Sequence, residues 1–202
     1  YLSYAIQYCT LTKDAIVVNA AGNDDWEASE YMGIHPSVIS VAATDQNDAK
    51  ASFSNYGSWV EVSAPGVAIY TTAWNQATGS HGYSSVQGTS FSAPITCGAL
   101  GLLWSAHPTW GRSQITSLLL SNCDEIDSIN PTYAGKLGAG RVNLLKALGD
   151  GFHKVPDELP TIFDALNSAS AGDSIGIKGS SILDGPVTIL NMEVPVLGGW
   201  DD

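Results

Sequence analysis

The most informative segment of the chain is Gly88-Thr89-Ser90-Phe91-Ser92-Ala93-Pro94, which joins a loop rich in Gly, Ser and Thr to a long apolar stretch. The apolar stretch predicts a helix from Ser90 to about His107. A serine at a helix N-terminus has an exposed hydroxyl, a helix dipole that favours negative charge, and free backbone amides that can bind an oxyanion. Ser90 could also be an ordinary N-cap, but the following Ser-Ala-Pro and the small residues of the helix favour a nucleophile.

The chain before this helix alternates between helix and strand patterns. Residues 1 to about 12 carry apolar side chains at helical spacing, and Ala15–Ala21 is a short apolar run that ends at Gly22. A second apolar run, Val38–Ala43, follows a proline. A helix followed by buried strands predicts an α/β fold with a parallel sheet. The region from about 73 to 88 predicts mostly loop or hairpin.

Several ordered motifs resemble those of the subtilases, the subtilisin-like serine peptidases (peptidase S8). The segment around Ser90 is similar to the family's nucleophile motif, usually written G-T-S-M-A-x-P. The other matching segments, in chain order, are Val17–Asn23, Pro36–Ala43, Ala51–Gly57, Ala64–Gly66 and Gly138–Asn143. The resemblance covers about residues 1–149 and implies the three-layer α/β parallel-sheet fold of that family, with its N-terminal part absent from this chain.

The resemblance also implies roles for individual residues. Ser90 matches the nucleophile of a serine endopeptidase, which hydrolyses peptide bonds through an acyl-enzyme. Asn23 matches the asparagine whose side-chain amide stabilises the oxyanion together with the Ser90 amide; without Ser90, it would be an ordinary turn asparagine. The residues that match the substrate-binding walls are Ala20, Ala21, Gly22, Gly88 and Thr89.

The sequence departs from the family pattern at three places. Phe91 replaces the usual Met after the nucleophile, and Ile95 replaces a structural His after the motif's Pro. The third departure concerns the catalytic triad, whose order in subtilases is Asp, His, Ser. Both upstream motifs are expected before residue 1, and none of His35, His81, His107 and His153 has the neighbours of a triad base. This chain alone is therefore expected to be nearly inert. An alternative is a catalytically dead subtilase-like module that binds peptides or surfaces.

A calcium site is a weaker implication of the same resemblance. In proteinase-K-like relatives, calcium is held by two backbone carbonyls and one carboxylate, and the matching positions here are Pro36, Val38 and Glu61. Oxygen ligands of this kind suit calcium. The calcium would be structural, because the chemistry itself requires no cofactor. Glu61 could also be a surface residue at a strand end.

Composition narrows the choice of partners. The chain has 8 basic and 20 acidic residues, a formal net charge of -12, which disfavours nucleic acid and anionic membranes. No apolar run approaches the ~20 residues of a membrane-spanning helix. Cys9, Cys97 and Cys123 show neither a CxxC pair nor metal-like spacing, so they do not fix the redox compartment. Polypeptide substrates and an extracellular or cell-surface location follow from the family resemblance alone.

The last part of the chain differs in composition. Residues 150–160 are predicted to be a linker and residues 161–202 a separate β-rich domain. A helical stripe at 162–169, a Gly-Asp turn and strand-like runs at 174–177 and 187–190 resemble the start of a right-handed parallel β-helix. Such solenoids need several coils to bury their core. A domain of this kind would suit surface or glycan contact; a small β-sandwich is the alternative.

Overall fold

The computed structural model of the chain describes residues 1–28, 32–75 and 79–149, together with the strands Phe152–Val155, Ser174–Lys178 and Val196–Trp200. The chain divides into two units, Tyr1–Leu144 and Leu145–Asp202. The predicted domain boundary at residue 149 lies close to this division. All the residues singled out for chemistry belong to the first unit.

A parallel sheet lies at the centre of the first unit. Its strands β1 (Val17–Ala20), β2 (Val38–Thr44) and β3 (Val62–Pro65) are adjacent in chain order. All seven residues of β2 are buried, as expected for a central strand covered on both faces. The sequence prediction of an α/β fold with a parallel sheet is confirmed.

Helices cover this sheet. The first, α1 (Leu2–Gln7), continues into a π-helical turn at Tyr8–Thr12. The long helix α2 (Thr89–Ala106) packs across all three strands, and α3 (Arg112–Ser121) packs on α2. A 3₁₀ turn at Pro131–Tyr133 and the short helix α4 (Leu144–Leu148) complete the order.

The segment before α2 is a two-stranded antiparallel hairpin. It consists of β4 (Ile69–Asn75) and β5 (Ser80–Val86), with Ile69 paired to Val86 at its base. The sequence predicted loop or hairpin here, and the structure shows the hairpin. Because β5 ends at Val86 and α2 begins at Thr89, the hairpin leads the chain directly into the N-terminus of α2.

The segment Gly138–Asn143 connects the end of the unit to the sheet. Ser63 of β3 donates its amide to the carbonyl of Gly140 and accepts the amide of Val142. A Cβ on Gly138 would collide with the backbone of Glu61, and one on Gly140 with the backbone of Asp124. Both glycines also have positive φ angles, 73° and 115°. Only glycine therefore lets this segment approach so closely.

The second unit contains three described strands. They are β6 (Phe152–Val155), β7 (Ser174–Lys178) and β8 (Val196–Trp200), which form a parallel sheet in chain order. The strand predicted at 174–177 is confirmed, and β6 lies inside the predicted linker. The helix predicted at 162–169 and the strand predicted at 187–190 lie outside the described residues.

Candidate active site

Ser90 is exposed at the start of the central helix. It is the second residue of α2, after the N-cap Gly88, whose φ of 142° is a conformation that favours glycine. The amides of a helix's first turn have no intrahelical acceptor, so the Ser90 amide is available to a ligand. Among the residues that the structure describes, none hydrogen-bonds to the Ser90 hydroxyl.

Asn23 lies next to Ser90 with its side chain fixed in one orientation. Its Oδ1 accepts hydrogen bonds from the Thr89 amide at 2.9 Å and from the Thr89 hydroxyl at 3.1 Å. The oxygen of the carboxamide is thus satisfied, and the NH₂ group is left to donate elsewhere. A Cβ placed on Gly88 would lie 3.8 Å from both polar atoms of this carboxamide. The fold therefore brings Asn23, Gly88 and Ser90 together from segments 66 residues apart.

Thr89 was predicted to bind substrate, and the structure places it beneath Asn23. It is fully buried, and its hydroxyl also accepts the amide of Gly22 at 3.2 Å. The threonine therefore contacts two consecutive residues of the loop that follows β1. No local sequence signal identified this contact, because it joins two segments distant in the chain.

A second segment holds the same loop from the other side. The amide of Asn55 donates to the carbonyl of Gly22 at 3.0 Å. The Asn55 Oδ1 accepts the amides of Asp24 at 2.9 Å and Trp26 at 3.1 Å. Sequence reasoning noted the segment Ala51–Gly57 but gave Asn55 no role. The backbone on both sides of Asn23 is thus tied to one buried asparagine.

A cavity of about 260 Å³ opens beside this loop. The three small residues predicted to form a substrate-binding wall, Ala20 to Gly22, all line it. Its other lining residues are Asn19, Asp24, Trp26, Ala28 and Asn55. The sequence analysis gave Trp26 no role in this cavity.

The three residues predicted to bind calcium line one cavity. Pro36, Val38 and Glu61 share a space of about 300 Å³ with Arg112. One carboxylate oxygen of Glu61 accepts the amide of Ser40 at 2.6 Å. Burial raises the pKa of Glu61 above its ordinary value of 4.5, and the hydrogen bond from Ser40 opposes that rise. A partly desolvated carboxylate fits a cation ligand, whereas the positive charge of Arg112 at the cavity wall opposes one.

The histidines of the first unit have other contacts. His35 is buried, with one ring nitrogen 3.3 Å from the Ser3 hydroxyl and the other accepting the amide of Ser37. His81 lies on β5 and its ring contacts Trp74 at a centroid distance of 4.7 Å. His107 follows α2 and stacks on Trp110. None of these three has a hydrogen bond to Ser90.

Other predicted features of the chain can also be placed. Cys9, Cys97 and Cys123 form no disulfide with one another, and of the three only Cys123 is buried. Within the described ranges, no three His, Cys, Asp or Glu side chains are grouped to hold a metal ion. None of the helices that the structure describes has the length and apolar character needed to cross a membrane.

Comparisons with known proteins give consistent relatives. The sequence matches the Subtilase family, peptidase S8, over residues 2–151. Thermitase of Thermoactinomyces vulgaris is 42% identical over 147 residues, which are 73% of this chain and 48% of thermitase. An extracellular protease of Xanthomonas campestris pv. campestris is 35% identical over 185 residues, which are 89% of this chain and 31% of that protein.

The fold comparison agrees with the sequence comparison. A solved protease structure from Pseudoalteromonas arctica matches with a TM-score of 0.64 and 29% identity, over 72% of this chain and 45% of that one. The chain spans about half the length of curated relatives such as thermitase and subtilisin BL of Lederbergia lenta. The family match, the parallel α/β sheet and the position of Ser90 at the start of α2 together show that this chain belongs to the subtilase family.

Proposed function

We propose that this chain is the nucleophile-bearing part of a serine endopeptidase. The observation that carries the proposal is the pairing of an exposed Ser90 hydroxyl with the Asn23 carboxamide, whose oxygen is held by Thr89. That pairing supports an attack of Ser90 Oγ on a scissile carbonyl. The Ser90 amide and the Asn23 Nδ2 would then donate to the oxyanion of the tetrahedral intermediate.

A general base must take the proton of Ser90 in this mechanism. Serine at neutral pH is a weak nucleophile without one, and no residue described by the structure hydrogen-bonds to the Ser90 hydroxyl. We propose that a longer polypeptide contains this chain and supplies the triad Asp and His. The 202-residue chain alone would then be inactive.

An uncovered face of the first unit supports this proposal. Strand β1 pairs only with β2 among the described strands, so one edge of the sheet is open. On α1 and the turn after it, large apolar side chains are exposed, namely Tyr1, Leu2, Tyr4, Tyr8 and Leu11. On α2, Gly98 and Gly101 are exposed, and a Cβ on either would meet no atom within 4 Å. Open edges and apolar faces of this kind are normally covered.

Polypeptides are the proposed substrates. The cavity beside Ala20, Ala21 and Gly22 would take the side chain that precedes the scissile bond, because small wall residues leave room for it. Gly88 would let the substrate backbone approach Ser90. Among the described residues that line this cavity, Asp24 is the only charged one.

The cavity that contains Glu61 is a proposed structural calcium site. The carbonyl oxygens of Pro36 and Val38 and the carboxylate of Glu61 would be the ligands, all of them hard donors. Calcium would replace water around a carboxylate that burial has partly desolvated. It would stabilise the fold and take no part in the hydrolysis.

The second unit is proposed to be the start of a parallel β-helix that contacts surfaces or glycans. Its strands are parallel, follow chain order and have pairing partners about one coil apart, such as Phe152 with Ser174. Export to the cell surface or medium is proposed because the chain belongs to the subtilase family. One relative is named an extracellular protease.

The proposed activity can be tested by peptide hydrolysis. The longer polypeptide should cleave peptide anilides, and Ser90→Ala should abolish cleavage while Ser105→Ala, at the exposed far end of the same helix, should not. Asn23→Ala should lower kcat by about 10²–10³-fold, as loss of this donor does in subtilisin. Peptide binding without cleavage by the wild-type protein would favour a catalytically dead binding module and contradict the proposal.

A further inference from the structure

We propose that Asn55 is a positioning residue that sets the geometry of the oxyanion-binding loop. The inference rests on the proposed function, because it assigns Asn55 a part in hydrolysis at Ser90. Asn55 would contact neither the nucleophile nor the oxyanion. It would act through the main chain of the loop that carries Asn23.

The contacts of Asn55 surround Asn23 on both sides. Its amide donates to the carbonyl of Gly22, the residue before Asn23. Its Oδ1 accepts the amides of Asp24, the residue after Asn23, and of Trp26. The main chain of Asn23 therefore lies between two anchor points that belong to one residue. A shift of Asn55 would move both points together.

The loop that contains Gly22 and the segment that contains Asn55 approach each other closely. A Cβ on Gly22 would collide with the Asn55 side chain, and Gly22 has a φ of 106°. Two further main-chain bonds join the same segments, from Asp25 to the carbonyl of Phe53 and from Tyr56 to that of Trp26, at 2.9 and 3.0 Å. The Asn55 side chain is the part of this contact that mutation can remove without altering the backbone.

Asn55 is itself anchored to the central strand. The Ser54 hydroxyl donates to the carbonyl of Asn55 at 3.0 Å and accepts the amide of Ala43 at 2.9 Å. Ala43 is fully buried in β2, and Asn55 is only 6% exposed. A rigid chain of contacts thus runs from the sheet through Ser54 and Asn55 to the loop that carries Asn23. The exposed end of that loop gains its position from the buried sheet.

Loss of the Asn55 acceptor should affect the transition state more than the ground state. Two amides would lose their partner, and the loop backbone would shift relative to the N-terminus of α2. An oxyanion donor acts only once charge develops on the carbonyl oxygen, so its displacement lowers kcat. Misplacement by about 1 Å can cost about 10²-fold in rate. We therefore expect a fall in kcat of about 10-fold to 100-fold.

The variants Asn55→Ala and Asn55→Ser remove the side-chain oxygen that accepts the amides of Asp24 and Trp26. The variant Asn55→Asp keeps an oxygen acceptor at this position. Asn130→Ala is the matched control. Asn130 is also 6% exposed, and its carboxamide bridges Lys50, Asp48 and Ile126. All variants would be made in the longer polypeptide, with kcat and KM measured on peptide anilides that differ in the residue before the scissile bond. Hydrogen exchange of the Asp24 and Trp26 amides would be followed in parallel.

The expected result separates Asn55 from a merely structural residue. Asn55→Ala and Asn55→Ser should lower kcat by a similar factor for every substrate and speed exchange at Asp24 and Trp26. Asn55→Asp should restore both, and Asn130→Ala should lose stability while keeping kcat. If Asn55→Ala does not fold, the contrast between Asn55→Ser and Asn55→Asp gives the same test.

Several results would overturn the inference. These are a wild-type kcat in a folded Asn55→Ala or Asn55→Ser variant, unchanged exchange at Asp24 and Trp26, or an equal fall in kcat in Asn130→Ala. Asn55 also lines the proposed substrate cavity, so a loss confined to one substrate would mean that it acts through side-chain binding in that cavity, which would overturn the inference as well. If the wild-type longer polypeptide does not hydrolyse peptides, that result would instead contradict the proposed function, and with it the inference.

Discussion

At the scale of single residues, the site depends on where hydrogen-bond capacity is used and where it is left free. The oxygen of Asn23 is taken by Thr89, so the NH₂ group of the same side chain keeps its donors for a ligand. Ser90 has an amide in the first turn of α2 and an exposed hydroxyl. The chemistry proposed here therefore follows from which groups the fold has already satisfied.

Thr89 gives the first prediction at this scale. Thr89→Val keeps the shape of the buried side chain but removes the hydroxyl that contacts both Asn23 and Gly22. We expect kcat of the longer polypeptide to fall by about 10-fold, since the carboxamide of Asn23 would be held by one bond only. Thr89→Ser should retain most of the activity. Equal activity of the Val and Ser variants would contradict this role of the hydroxyl.

Lys50 provides a second prediction, on stability. Its side chain is 2% exposed, and the Nζ lies 5.1 Å and 4.7 Å from the ring centroids of Tyr56 and Tyr133. The oxygens that accept from Nζ belong to Asp25, Ala51 and Ser54.

Lys50→Met should lower the free energy of unfolding by about 1–3 kcal/mol, because carbonyl acceptors lose a charged donor. Lys13→Met, at an exposed position, is the control. Chemical denaturation measures both variants, and equal stability of the two would refute the role given to the buried ammonium.

At the scale of elements, helix α2 approaches the sheet closely at Gly66, immediately after β3. A Cβ there would collide with the Ser92 hydroxyl of α2 and with the Cβ of Ala43 in β2. Ser92 also donates to the carbonyl of Pro65 at 3.1 Å. The small residue thus fixes the distance between the sheet and the helix turn that carries Ser90.

We expect Gly66→Ala to destabilise the first unit by about 1–3 kcal/mol, the usual cost of overpacking. Gly82→Ala, on the hairpin, is a suitable control, because a Cβ there would meet no atom within 4 Å. Thermal unfolding of the two variants provides the comparison. A Gly66→Ala variant as stable as the control would show that the helix can move away without cost.

The cavity between β2 and α3 gives a prediction about how stability changes with pH and with calcium. Burial raises the pKa of Glu61, so between its ordinary value of 4.5 and the raised value the folded state holds a proton that the unfolded state has released. When a chelator removes calcium, the stability that Glu61 contributes should therefore fall as the pH rises through that window. Glu61→Gln should remove this fall.

Calcium bound at the proposed site should reverse the effect. Above the window, calcium should raise the melting temperature of the wild type and leave that of Glu61→Gln unchanged. Differential scanning calorimetry with and without calcium measures this. Equal calcium responses of the two proteins would place the binding, if any, away from Glu61.

At the scale of the whole molecule, the sequence predicted the features that depend on local pattern. The strands, the helix that carries Ser90 and the hairpin each have a clear hydrophobic period or turn composition. Asn55 and the inward contact of Thr89 were not predicted, because each joins segments more than 25 residues apart and depends on packing. The π-helical turn at Tyr8–Thr12 was also missed, since its composition is that of an ordinary helix.

The open edge of β1 and the apolar face of α1 belong to this scale as well. Both features support the proposal that further chain packs against this unit, and the chain spans about half the length of relatives such as thermitase. On this account, the nucleophile and the oxyanion site are assembled on this chain and the proton acceptor is supplied from elsewhere. The central claim is thus that Ser90 becomes a nucleophile only in the longer polypeptide.

Labelling with a fluorophosphonate probe distinguishes an activated Ser90 from an inert one. The 202-residue chain and the longer polypeptide would be treated side by side, each with its Ser90→Ala variant, and the modified peptide identified by mass spectrometry. We expect rapid labelling at Ser90 in the longer polypeptide and none in the 202-residue chain. A folded, triad-bearing polypeptide that is not labelled at Ser90 would contradict this expectation, as would labelling of Ser90 in this chain alone.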